Sequence, residues 1–179
     1  MPTPTSLPGS FTAGDVLTAA NMNDIRGAFR ILQVSQAVKD DTQTITAGTT
    51  FTDITDLSVT ITPYSNTSKF FLLTQVNFGS NGQPVQFRFQ GGNSGNYVGD
   101  AAGSRTRAAI DIDVGGIESN GLGVFFYLDS PATSSAITYK VQSRVANANT
   151  YYINRSNSDT DSADYTRTAS SLIVCEVSA

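Results

Sequence analysis

Thirteen Asp, two Glu, eight Arg, three Lys, one Cys and no His make up the reactive side chains of this 179-residue chain. A serine nucleophile needs a neighbouring base to take its proton. With no His, and with Lys39, Lys69 and Lys140 outside any Ser-x-x-Lys context, that base is missing. Glycoside hydrolysis needs two carboxylates with separated pKa values across one cleft, and Glu118 and Glu176 stand isolated in the sequence. The run Asp159-Thr160-Asp161-Ser162-Ala163-Asp164 supplies oxygen ligands for a calcium ion but lacks the Gly and Glu of an EF-hand loop, so a solvated acidic loop is the competing reading. Gly91-Gly92-Asn93-Ser94-Gly95-Asn96 is glycine-rich without a following Gly-Lys-Ser/Thr, and reads as a turn rather than a phosphate loop. Cys175, in an apolar run, reads as an inert buried thiol. These residues assign no catalytic group, cofactor or metal, and the expectation is a protein that is not an enzyme.

The residue types that remain suit contact. Asn96, Tyr97, Arg105, Arg107, Asn147, Asn149, Tyr151 and Tyr152 fall in or beside turn-rich stretches, where rings cover apolar patches and amides read hydroxyl groups. That mixture fits a glycan or a protein surface, and Ser104-Arg105-Thr106-Arg107 fits an acidic patch or a sugar carboxylate. A net charge of -4 gives no basic stripe for nucleic acid. No apolar run approaches the ~18 residues of a membrane span, so membrane insertion is not expected. The N-terminus MPTPTSLPGS has neither the basic residue nor the apolar core of a secretory signal. The sequons at Asn66 and Asn154 therefore carry no weight.

The positions that must hold these side chains read as β-structure. Thr, Ser, Asn and Gly fill 69 of 179 positions, a composition for pleated surfaces and turns rather than for helices. Period-2 runs predict strands at 32–38, 42–46, 57–62, 69–78, 85–90, 107–113, 123–129, 136–145, 150–154 and 171–177. Short strands at this spacing predict an all-β, antiparallel sandwich or barrel over residues 31–179. Before it, residues 1–30 predict an extended Pro-rich arm and one short helix, with Met22, Ile25, Phe29 and Leu32 on one stripe. That helix either docks on another surface or covers the end of its own domain. Most strands alternate, but Phe70-Phe71-Leu72-Leu73, Val124-Phe125-Phe126-Tyr127-Leu128 and Leu172-Ile173-Val174-Cys175 are apolar on both faces. A two-layer protein gives each strand one interior face, so the second is covered by another copy of the chain or by long loops.

Ser10-Phe11-Thr12-Ala13-Gly14-Asp15-Val16-Leu17-Thr18-Ala19-Ala20-Asn21-Met22-Asn23 resembles the opening of small virion proteins of tailed bacteriophages. The stretches 50–63, 68–70, 127–133, 138–141 and 152–156 are similar to the same group, notably in phages of cyanobacteria and marine bacteria. The resemblance implies a jelly-roll-type sandwich that trimerises like the tumour-necrosis-factor head, in a virion assembled in the bacterial cytoplasm. Such domains serve as tail fibres, head fibres and capsid decorations; the expectation here is a short fibre held to other virion proteins through Phe11, Val16, Leu17, Met22, Ile25 and Phe29. Phe70, Leu72, Phe125, Tyr127, Leu172 and Val174 would build the sandwich core and three-fold interface. Asn96, Tyr97, Arg105, Arg107, Asn149 and Tyr151 would touch a host surface glycan or protein. A capsid decoration protein, or less readily a glycan-degrading enzyme, is the alternative.

Overall fold

The computed structural model of the chain describes residues 14, 16, 18, 19, 31–46, 48–115 and 120–178. The expected N-terminal arm and helix, with Phe11, Leu17, Met22, Ile25 and Phe29, lie outside the described residues; Val16 is described and exposed.

Ten strands follow in order: β1 (Ile31–Lys39), β2 (Gln43–Ile45), β3 (Thr52–Ile61), β4 (Lys69–Gly79), β5 (Val85–Gln90), β6 (Ile110–Ile112), β7 (Gly121–Asp129), β8 (Ile137–Val145), β9 (Tyr151–Ile153) and β10 (Ser170–Val177). Each corresponds to one expected run. The main difference is β3, which starts at Thr52 rather than Leu57. Its register on β8 shifts between Asp53 and Ser58, and Asp56 there takes a left-handed φ of 64°. The bulge lets Ile54 and Leu57, three residues apart, both point inward, which hides the strand from a period-2 reading.

The strands form two antiparallel sheets. In the six-stranded sheet β1, β10 and β4 lie side by side, β7 covers the other edge of β4, and β9 with β2 extends the far end. The four-stranded sheet has the order β3-β8-β5-β6. The chain crosses between sheets at β2–β3, β3–β4, β4–β5, β6–β7, β7–β8 and β8–β9, which is the jelly-roll-type sandwich.

Between the sheets the side chains are aromatic and aliphatic. Phe89 and Phe125 lie 4.6 Å apart, Phe78 and Phe87 5.1 Å, and Phe70 and Tyr139 5.6 Å, ring centre to ring centre. Gly121 faces this cluster because a Cβ there would come within 2.5 Å of the Phe78 ring. Buried polar groups fasten the ends. Asn154, at φ 64°, donates from Nδ2 to the carbonyls of Lys39 and Asp41 and accepts from Ser170 Oγ at 2.6 Å. Glu176 accepts from the Tyr64 amide at 2.8 Å and from Gln33 Nε2. Asp129 Oδ2 accepts from Tyr139 Oη at 2.7 Å and from the Asn93 amide at 3.1 Å.

Two buried tyrosines make stability sensitive to alkali. Burial pushes the Tyr151 phenol up to about 12 from 10.0, while Ser143, 2.9 Å away, and Arg144 partly oppose the rise. Burial, with help from the Asp129 carboxylate, pushes Tyr139 up as well. Below pH 10 both the folded and unfolded chains keep these protons, so the contribution is complete. Above pH 10 the unfolded chain ionises first, and stability falls as pH rises toward the folded value. Thermal melts should show this alkaline loss, on the order of 2 kcal/mol for Tyr151, and Tyr151→Phe should make the decline shallower. An identical decline in the variant would contradict the assignment.

Candidate functional site: the outer face of the six-stranded sheet

Strand pairing sets the outward side chains of this sheet in rows. One row reads Val34, Cys175, Phe71, Leu128; the next Gln36, Ile173, Leu73, Phe126; the third Val38, Ser171, Gln75, Val124. The three strands expected to be apolar on both faces, β4, β7 and β10, are therefore neighbours, and their second faces merge into one surface. Phe126 is 60% exposed and Val34 58%. Apart from Val16 and Tyr64, every large apolar side chain described as exposed lies on β1, β4 or β7 of this sheet. The outward positions of the four-stranded sheet are polar instead: Thr60, Thr138, Lys140, Gln142, Arg88 and Gln86.

Four strands of about nine residues make a face of roughly 30 by 19 Å. That is near the upper limit of apolar patches on monomers and approaches one partner's share of a stable interface. The surface has relief. A recess of about 280 Å³ lies among Leu73, Thr74, Gln75, Val124, Ser171 and Ile173. The protruding Phe126 ring stands in the row beside it. Both sides of the face are apolar: β1 presents Val34 and Val38, and β7 presents Leu122, Val124, Phe126 and Leu128. The arrangement can bury a complementary apolar surface.

Cys175 belongs to this face. It is half-buried between Val34 and Phe71 rather than buried as expected, and partial burial pushes its thiol up. Phe70, Leu72, Phe125, Leu172 and Val174 all point into the sandwich, and Tyr127 is half-buried there against Tyr97, ring centres 4.9 Å apart. The exposed face consists of their alternate neighbours. Lys69, Gln75 and Asn77 share a phase with Phe71 and Leu73, and that polar interleaving was the signal for which side faces out.

The expected contact residues do not form one cluster. Asn96 follows the end of β5, whereas the Asn147–Asn149 turn is tied to Gln83, before its start, by Asn147 Nδ2 at 2.6 Å. Arg105, Arg107 and Asn149 are exposed. Tyr151 is fully buried, with its hydroxyl on Ser143, so it touches no outside surface; it sits on a strand facing the core. In the acidic loop, Asp159 is paired with Arg167 at 2.6 Å and Arg155 at 3.8 Å, and the Arg155 guanidinium lies over the Tyr152 ring. Among the described residues no group of three or more Cys, Asp or Glu is placed to hold a metal ion. Asn154, a sequon position, is buried and structural.

No family model and no curated protein matches the chain. Among solved structures it is similar to one described as "Structure of infectious bursal disease virus Gx strain", with a TM-score of 0.39 and 14% identity. The likeness covers 81% of this chain and 40% of that one, so the chain spans less than half of that chain's length.

Two adjacent residues test the phase of this surface. Phe125 packs against Phe87 and Phe89, so Phe125→Asp should abolish folding by burying an unpaired charge. Phe126→Asp should keep the β-sheet circular dichroism spectrum. Folding of the first variant, or unfolding of the second, would contradict the assignment of faces.

Proposed function

We propose that the chain is a virion structural protein of a tailed bacteriophage: a short homotrimeric fibre, held to the particle by residues 1–30, that presents its sandwich to the host surface. The observation that carries the reading is the apolar outer face of the six-stranded sheet, which has no cover among the described residues. The sequence resemblance supplies the setting in a virion, and a sandwich with one sticky face is what a self-assembling part of a particle requires.

Several features support three copies around an axis. A three-fold ring joins one edge of a face to the other edge of the next copy. Both edges here are apolar, with β7 side chains on one and β1 side chains on the other. The Phe126 ring of one copy fits the scale of the recess beside Ile173 of another. The strand β1, which begins at Ile31, is an edge strand of this sheet, so the sandwich starts at the proposed interface.

The test uses particles. Deleting residues 1–30 should remove the protein from them, while purified full-length protein should bind host cells. Particles that retain the truncated protein would overturn the anchor. Full-length protein that decorates heads and binds no cells would overturn the fibre in favour of a decoration protein.

A further inference from the structure

The opposite face of the sandwich carries an unusual charge arrangement. The chain is acidic overall and has thirteen Asp to spend on eight Arg. Among the described residues, Arg155 and Arg167 share Asp159, but no carboxylate lies within 4.0 Å of Arg88, Arg105, Arg107 or Arg144. These four belong to one side of the molecule. Arg88 and Arg144 point outward from β5 and β8, each opposite a glutamine: Arg88 across from Gln142, Arg144 across from Gln86. Arg144 Nη1 donates to Thr106 Oγ1 at 2.7 Å, which brings the segment holding Arg105 and Arg107 up to the same face.

The guanidinium groups are held from behind. Arg88 donates from Nε to Gln142 Oε1 at 2.8 Å and lies 4.2 Å over the Phe51 ring. Arg107 donates from Nε to the Gly99 carbonyl at 2.6 Å. Both bonds use the inner nitrogen and leave the terminal Nη pair without a partner among the described residues. That pair is the fork that grips a carboxylate or phosphate in two parallel hydrogen bonds. Acid is present nearby but engaged: Asp53 accepts from Lys140 and Gln142, and Asp111 accepts weakly from Gln86 at 3.4 Å.

The nature of the partner follows from what this face lacks. No large apolar side chain is exposed on the four-stranded sheet, so it has no aromatic or aliphatic anchor for the dry centre of a protein–protein interface. What it offers is the two free forks of Arg88 and Arg107 among glutamine amides, with the positive charge of Arg105 and Arg144 beside them. Arg105 donates from Nη1 to the Ala102 carbonyl at 3.3 Å, and Arg144 donates to Thr106 and to the carbonyls of Val145 and Ala146. Resting on the fibre reading above, we infer that the outer face of the four-stranded sheet, with Arg88, Arg105, Arg107 and Arg144, binds an anionic polysaccharide through its carboxylate or phosphate groups.

The test uses the full-length chain, immobilised, with polygalacturonate as probe and neutral dextran of similar length as control. Polygalacturonate should bind, dextran should not, and added salt should weaken the complex. R105A/R107A and R88Q should each lower the affinity by about tenfold or more. R167A, which removes an arginine already paired with Asp159, should leave it unchanged. Absence of polygalacturonate binding, wild-type affinity in the arginine variants, or equal affinity for polyglutamate would overturn the inference; the last outcome would assign the face to an acidic protein. The oligomeric mass of the same samples separates the two readings. Binding that fails in an intact trimer overturns this inference alone, whereas binding by a chain that stays monomeric overturns the trimer alone.

Discussion

Three adjacent strands of one sheet carry apolar side chains on both faces, and a two-layer sandwich dries only one of them. In β4, β7 and β10 the inner set, with Phe70, Leu72, Phe125, Leu172 and Val174, closes the core against the four-stranded sheet. The outer set, with Phe71, Phe126, Leu128 and Ile173, forms a second surface of comparable chemistry. Burying a large aliphatic or aromatic side chain contributes roughly 1.5–3 kcal/mol, so several left half-exposed are a sizeable driving force for association before its entropic cost. On the proposed reading the protomer is one part of an assembly, and its two faces divide the work. One is apolar and shaped with a ring and a recess; the other is polar, with its arginines held in place.

The polar groups inside the sandwich complete this division. Asn154, Glu176 and Asp129 are buried and hydrogen-bond to backbone groups and neighbouring side chains near the strand ends, Asp129 through Oδ2 alone. Glu176, with no ion pair among the described residues, is held by two donors from different parts of the chain and ties the turn at Tyr64 to β1 and β10. Lys39, whose side chain is fully buried, is matched by Asp41 at 2.6 Å and Thr55 at 3.0 Å. Such bonds add little net free energy each, but removing one partner leaves a buried group unmet. They fix where strands turn, and hence which residues the outer faces present.

Much of this was legible in the residues themselves. All ten strands were legible, at least in part, as short runs between turn signals, and the two-faced strands pointed to a second apolar surface. Their adjacency was not legible, because pairing β10 with β4 and β4 with β7 joins residues about a hundred and about fifty positions apart. The early start of β3 was hidden by a bulge at Asp56 that breaks the period. Tyr151 looked like a contact residue because Asn and Thr surround it; only the fold shows that it faces the core. The arginine face was half visible. Arg105 and Arg107 stood out as a basic spot, but Arg88 and Arg144 join them only through strand pairing and the bond to Thr106.

The molar mass of the protein in solution, by light scattering, tests most directly whether further copies cover the apolar face. The account predicts three times the 18.9 kDa of one chain, and a shift to the monomer in Phe126→Asp without loss of β-structure. A stable monomer of the unmodified chain at 18.9 kDa would contradict it.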